Sequence, residues 1–382
     1  MLDEQANKEE MEQRVKESME FVENPKRYNL KCKICGKIFS GNIDGSGFCP
    51  DCLNDPVEML KYIQSKPEKE DIFPITDYKK IRLIGSGGMG KVWLVEDKKT
   101  GKQMGLKMML PATESTEKER NLFLREAYIG GQLKHDKLVR QFELGYSSDT
   151  FYILMEYCRG GNIEDLMARN RNIFMREDFL NERIKIATHI LLQMLDGLHY
   201  LHHAPVESKL VDYTTRTVEG VVHRDIRPEN ILLSDDTLYP DVKIADFGIA
   251  KAFLSAGKSF HTEGEKSDMS TGGIRGEFRG DPMFVPRQQI LDYRFVYPEV
   301  DVWAAAACYY YMLTGGVPPK GIMKALDIET AIDAIAIPIK KIIPKIPDKL
   351  AKVIDTALME DPDIGIRTAM ELKHEIKTAL SL

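Results

Sequence analysis

Four glycines within six residues, in the run IGSGGMGKVWL, constrain this chain more than any other feature. Gly85, Gly87 and Gly90 stand in G-x-G-x-x-G register, a spacing that dinucleotide-binding turns share. The residues that follow decide between the two uses. A dinucleotide fingerprint opens a helix, whereas KVWLVED is β-branched and aromatic and reads as a strand. The glycines therefore belong to a strand-loop-strand hairpin, and a loop without Cβ atoms can bring backbone N–H groups close to phosphates. Strand signals continue to TFYILMEY, and the long periodic segments beyond it are mainly helical. Strands first and helices after predict an α+β protein of two lobes with a cleft between them.

Composition narrows the partners. The 53 Lys plus Arg stand against 59 Asp plus Glu, so no general basic surface argues for nucleic acid or anionic lipid. The N-terminus MLDEQANKEEMEQRVKESMEF lacks the positive n-region and apolar core of a signal peptide. VDVWAAAACYYYML, from Val300, is too short to span a membrane and reads as a buried helix. A cytoplasmic location with no membrane span is expected, with reduced thiols.

Four of the six cysteines form two C-x-x-C pairs, Cys32/Cys35 and Cys49/Cys52, around a Gly- and Ser-rich connection. So small a unit lacks a core, and four thiolates in tetrahedral reach of a structural Zn²⁺ would supply its folding energy. No open position is left for catalysis at such a site. The segment, taken as residues 25–64, resembles a zinc ribbon. Before it, residues 1–24 read as a charged amphipathic helix with Met11, Val15, Met19 and Val22 on one stripe. After it, residues 65–77 read as a linker. The spacing leaves open whether the ribbon holds a protein, a nucleic acid or its own neighbouring domain, and a protein partner of the ribbon or the terminal helix is one of these readings.

Three further stretches carry chemistry. Lys107 lies in the strand-like run GKQMGLKMML, and Glu126 lies on a helix that a Thr116–Glu119 capping box opens and that puts Leu122, Glu126, Ile129 and Leu133 on one face. An acid alone on an apolar face needs a partner, and Lys107 is the natural one. HRDIRPEN and IADFGIAK add Asp225, Arg227, Asn230 and Asp246. Phosphoryl transfer needs this set: Asp225 to accept the hydroxyl proton, Asn230 and Asp246 to hold Mg²⁺, and Arg227 for the charge on the moving group.

From about Tyr78 onward the chain resembles the eukaryotic-type Ser/Thr protein kinases. GSGGMGKVWL, LREAYIGGQLKHDKLV, ILMEYCRGGNIEDL, VVHRDIRPENILL, KIADFGIAK, DVW at Asp301 and LTGGVPP occur in the family's order. The resemblance implies a strand-rich lobe over 78–157, a helical lobe over 158–382, and ATP with Mg²⁺ between them. It assigns Gly85, Ser86, Gly87, Gly88, Met89, Gly90, Val92 and Lys107 to the nucleotide, with adenine on the backbone of Glu156 and Cys158 and on Leu232, and Met155 as gatekeeper. Asp301 braces the catalytic loop in this reading. Protein substrates, the chain itself included, are the implied acceptors.

The chain departs from the family pattern in places. Arg227 stands where Ser/Thr kinases usually carry lysine, while Pro228 and Glu229 match the Ser/Thr type. In GDPMFVPRQQ, Asp281 replaces the usual threonine and Arg287 the usual glutamate, which sets Arg287 against Arg367 unless another acid intervenes and suggests an Asp281–Arg227 pair. Gly130 and Gly131 predict a packing gap in the Glu126 helix. Residues 204–220 read as a solvated insertion. Hydroxyls from Ser255 to Thr271 offer phosphate acceptors for Arg224. The eroded loop at Asp281 and Arg287 makes a nucleotide-binding pseudokinase or scaffold the alternative reading.

Overall fold

The computed structural model describes residues 28–32, 35–41, 49, 52, 77–87, 90–109, 117–147, 150–209, 215–246, 251–252, 281–291, 297–321, 328–360 and 362–382. The predicted helix over 1–24, linker residues 65–76, Thr116, Gly88, Met89 and the hydroxyls from Ser255 to Thr271 lie outside them.

A two-stranded hairpin comes first, with β1 (Tyr28–Lys31) antiparallel to β2 (Ile38–Gly41). Cys32 and Cys35 sit in its turn, closed by the Cys32 N–H on the Lys37 carbonyl at 2.8 Å and by Gly36 at φ +72°. That left-handed backbone suits glycine. The five-stranded sheet follows: β3 (Tyr78–Gly87), β4 (Gly90–Asp97), β5 (Gln103–Met109), β6 (Gln141–Ser147) and β7 (Thr150–Glu156), antiparallel in the order β3-β4-β5-β7-β6. Edge strand β3 is largely exposed, while the central β5 and β7 are buried almost throughout.

Two-residue alternation splits these central strands between two faces. Val95, Met104, Leu106, Tyr152 and Leu154 pack on one. Met109, Phe151 and Ile153 pack on the other against α1 (Glu117–Gln132), in a cluster that also contains Cys32, Cys49 and Cys52.

The helical lobe is organised by α2 (Leu180–His203) and α3 (Glu299–Thr314), with α4 (Asp348–Ala357) and α5 (Ala369–Leu380) against them. α3 is buried on nearly every side, as its all-round apolar sequence requires. Gly315 ends it at φ +73°, where a Cβ would lie 2.7 Å from the Phe174 carbonyl oxygen. The segment read as a solvated insertion contains an antiparallel pair, β8 (Pro205–Lys209) with β9 (Thr215–Glu219), whose Val206 is buried in the lobe's main core. Next, β10 (Val221–Val222) leads to the short hairpin of β11 (Ile231–Leu233) and β12 (Val242–Ile244), and β10 pairs with β13 (Lys251–Ala252). This is an antiparallel-sheet lobe joined to a mainly helical lobe. Among the described residues no helix is long and apolar enough to cross a membrane.

Candidate active site

Alternation puts Lys107 on the same face of β5 as Met109, toward α1. Its Nζ donates to both Glu126 carboxylate oxygens at 2.7 Å and to Asp246 Oδ1 at 3.1 Å. Burial works against the ammonium, but the charges of Asp246 and Glu126 outweigh it and hold Lys107 above the usual lysine range. Lys107 thus ties the sheet, α1 and the 246 segment together.

The loop at 223–230 is held by α3. Asp301, fully buried, accepts the His223 N–H at 2.8 Å, the Arg224 N–H at 2.7 Å and His202 Nε2–H at 2.9 Å. Arg224 and Asp246 adopt φ +73° and +67°, a left-handed backbone that costs non-glycine residues about 1–3 kcal/mol and concentrates at functional sites. The β11–β12 register, with the Ala245 N–H on the Asn230 carbonyl at 2.9 Å, brings Asn230 and Asp246 out of one end of a single hairpin. Asn230 Nδ2 donates to Asp225 O at 2.8 Å and Asp225 Oδ2 at 2.9 Å, leaving the Asn230 side-chain oxygen to accept a cation. Burial, then the nearby Asp246 charge, raises the Asp225 carboxyl above its ordinary value, as suits a group that takes up a proton.

Arg227 forks onto Glu229, with Nε at 2.8 Å, and its third nitrogen lies 3.5 Å from Asp281 Oδ2. Its main partner is thus an acid that the sequence reading does not pair with it. An acid stands beside each of Arg287 and Arg367, the condition under which the sequence reading relieves their opposition. Arg367 lies 3.6 Å from Glu299, and the Arg287 N–H donates to Glu360 Oε1 at 3.0 Å. That same oxygen takes the buried Lys320 Nζ at 2.8 Å. Sequence reasoning misses Lys320, Glu360 and His202 because each meets its partner across a long stretch of chain. A lysine directly after Pro318 and Pro319 is the only local signal for the first.

The glycines separate by need. At Gly90 a Cβ would lie 2.0 Å from the Met108 carbonyl oxygen, so the fold itself excludes a side chain. Gly85 would meet Val92 at an ordinary 3.6 Å, and Gly87 meets nothing within 4 Å. Ser86 lies beside them on β3, and Val92 pairs in register with Lys107. The expected gap at Gly130 is filled, since a Cβ there would lie 2.2 Å from the Gln141 amide, whereas Gly131 faces open space. Met155, Cys158, Leu232, Val139 and Ala245 form one apolar patch, and the Glu156 side chain pairs with Lys243 at 3.0 Å. The sulfurs of Cys32, Cys35, Cys49 and Cys52 all lie within 4.8 Å of one another, with Cys35 to Cys49 at 3.6 Å. Tetrahedral zinc at about 2.3 Å from each sulfur would space them about 3.8 Å apart.

Residues 78–375 match the family model described as the protein kinase domain. The chain is 26% identical over 311 residues to the serine/threonine-protein kinase PrkC of Bacillus subtilis, covering 79% of this chain and 40% of PrkC. It is 28% identical over 302 residues to the serine/threonine-protein kinase cds1 of Schizosaccharomyces pombe, covering 78% and 57%. The chain therefore spans 40% and 57% of the length of these two relatives. The fold is that of the PknI kinase domain of Mycobacterium tuberculosis, at TM-score 0.54 and 20% identity over 79% of this chain and 95% of that one. By its domain match and its fold, the chain belongs to the protein kinase family.

Proposed function

We propose that the chain is an ATP-dependent protein kinase that phosphorylates Ser/Thr hydroxyls of proteins, itself included, in the cytoplasm. The observation that carries this reading is the joined set of Lys107, Glu126 and Asp246, with Asp225 and Asn230 hydrogen-bonded beside it. The donor set fits Mg-ATP: hard oxygens on Asn230 and Asp246 suit magnesium, and a charged lysine held by Glu126 suits phosphate. When bound, Mg-ATP supplies the phosphoryl group together with the metal charge that offsets its oxygens.

In this reading Asp225 orients the acceptor hydroxyl and takes its proton, aided by its raised proton affinity. Arg227, fixed between Glu229 and Asp281, directs charge toward the acceptor side. Gly85, Ser86, Gly87, Gly88, Met89, Gly90 and Val92 cover the phosphates. Among the described residues nothing lies within 4 Å of a Cβ at Gly87, which favours close approach of a ligand. Cys158, Leu232 and Met155 line the adenine slot, with Glu156 beside it. The loop at Asp281 and Arg287, which prompted the pseudokinase alternative, is held here by Arg227 and Glu360, and no observation favours inactivity. The boundaries we propose are 25–64 for the four-Cys module, with zinc as its metal, 78–157 for the first lobe and 158–382 for the second.

Incubation with labelled ATP, Mg²⁺ and a generic protein substrate tests the reading. Label on Ser or Thr that disappears with Asp225→Asn is expected; equal labelling by both proteins would refute it.

A further inference from the structure

The four-Cys module and the helix that carries Glu126 share one buried apolar cluster. Cys32, Cys49 and Cys52 are 3%, 3% and 6% exposed, and the cluster joins them to Phe123, Leu124 and Ala127 of α1 and to Met109, Phe151 and Ile153 of the sheet. Both halves of the buried ion pair therefore sit next to this cluster. Met109 follows Lys107 by two residues on the same face of β5. Phe123 lies one turn before Glu126 on α1, and Ala127 directly after it.

We propose that a zinc ion bound by Cys32, Cys35, Cys49 and Cys52 holds α1 in place through this cluster, so that metal occupancy governs the Lys107–Glu126 pair and with it the affinity for Mg-ATP. The proposal rests on the kinase reading above and adds a regulator to it.

α1 is poorly fixed by its own sequence. Gly130 and Gly131 both weaken a helix relative to alanine, and among the described residues only Gly130 recovers contact, from Gln141. Its position is set by what touches it at either end. Ile129 and Leu133 belong to the main core of the helical lobe, whereas Phe123, Leu124 and Ala127 belong to the cysteine cluster. The first anchor is a large core. The second depends on a hairpin of two four-residue strands, which has too little apolar surface to fold alone and draws its folding energy from metal. The sulfur spacing already matches four-coordinate zinc. Loss of the metal frees the thiols from the sheet face and uncovers the α1 side chains beside Glu126. The ammonium of Lys107 then loses a fixed partner.

The test uses the full chain, loaded with Zn²⁺ or stripped by a chelator, with metal stoichiometry from native mass spectrometry. Hydrogen exchange is read over residues 117–132 and 299–314, and Mg-ATP binding by calorimetry. Stripping should speed exchange over 117–132, leave 299–314 unchanged, and weaken Mg-ATP by about tenfold, within the range of ordinary coupling between sites. Added Zn²⁺ should restore both. Cys35→Ser, at the exposed ligand, guards against unfolding by the chelator and should shift the same transition to higher Zn²⁺ concentration. Equal exchange and equal affinity with and without zinc would overturn the coupling and leave the kinase reading intact. Failure of the full chain to bind zinc would overturn the metal site. A zinc-loaded chain that binds no Mg-ATP would take down the kinase reading and this proposal together.

Discussion

Replacing Asp301 by asparagine removes one oxygen from the buried carboxylate that fastens the 223–230 loop to α3. Oδ1 accepts the Arg224 N–H, and Oδ2 accepts both the His223 N–H and His202. The least damaging orientation of asparagine keeps its oxygen toward His223 and His202 and turns its amide nitrogen toward the Arg224 N–H. Two donors then face each other in a fully buried site. One hydrogen bond to a charged acceptor is lost, at about 1.5–3 kcal/mol, and a buried N–H is left unmet at about 1–3 kcal/mol. These overlap, so the fold should lose about 3 kcal/mol. Arg224 holds a left-handed backbone and precedes Asp225, so the loss falls next to the carboxylate we propose as the base. Urea unfolding should report the stability change, and kcat should fall by at least about tenfold while KM for ATP moves less, because a transition-state contact is being misplaced. An Asp301→Asn protein within about 0.5 kcal/mol of the parent, the range of an exposed substitution, and with unchanged kcat would refute the assignment of Asp301 as the brace.

Other substitutions probe separate parts of the structure. Gly90→Ala should unfold at clearly lower urea, since its Cβ meets the Met108 carbonyl at 2.0 Å, whereas Gly87→Ala should keep native stability and raise KM for ATP; equal behaviour of the two would be contrary to the steric distinction. Asp225→Asn should stabilise the fold at neutral pH. A carboxyl whose proton affinity is raised by folding loses its stabilising contribution as pH climbs through its folded-state value, and the variant escapes that loss. Its advantage should shrink toward zero as pH falls to the ordinary aspartate value of 3.8, and urea midpoints across that range measure it. Lys320→Met leaves Glu360 with only the Arg287 N–H among these partners and should cost about 3 kcal/mol, the scale for breaking a buried pair. A thermal scan that shows no loss would remove Lys320 from the support of the loop at Arg287.

The parts of the site that could be read from sequence are those whose chemistry fits in a short window or whose isolation demands a partner. Asp225 and Asn230 stand five residues apart, and the 3-10 turn over Pro228–Asn230 brings the amide back onto the aspartate. Glu126 was readable because an acid on an apolar helix face has few ways to be satisfied. Contacts made across long separations left no such trace. Glu360 reaches Lys320 and the Arg287 N–H through tertiary packing, and no periodicity marks it. His202 sits on α2 like any core-facing residue and shows its role only once α3 places Asp301 beside it. The segment 204–220 reads as a solvated insertion, and nothing in its residues signals the pairing of 205–209 with 215–219 or the burial of Val206. The four cysteines were legible as one cluster through their spacing, but not the sheet face on which they rest.

Arg224 and Asp246 both hold a backbone shape that glycine or asparagine would adopt at lower cost. A library of this chain screened for heat resistance alone would therefore drift toward those residues at 224, whereas at 246 the ion pair with Lys107 opposes the exchange. It would enrich sturdier molecules whose pocket had relaxed and gone inert, so any selection for thermal tolerance here has to score turnover in the same round.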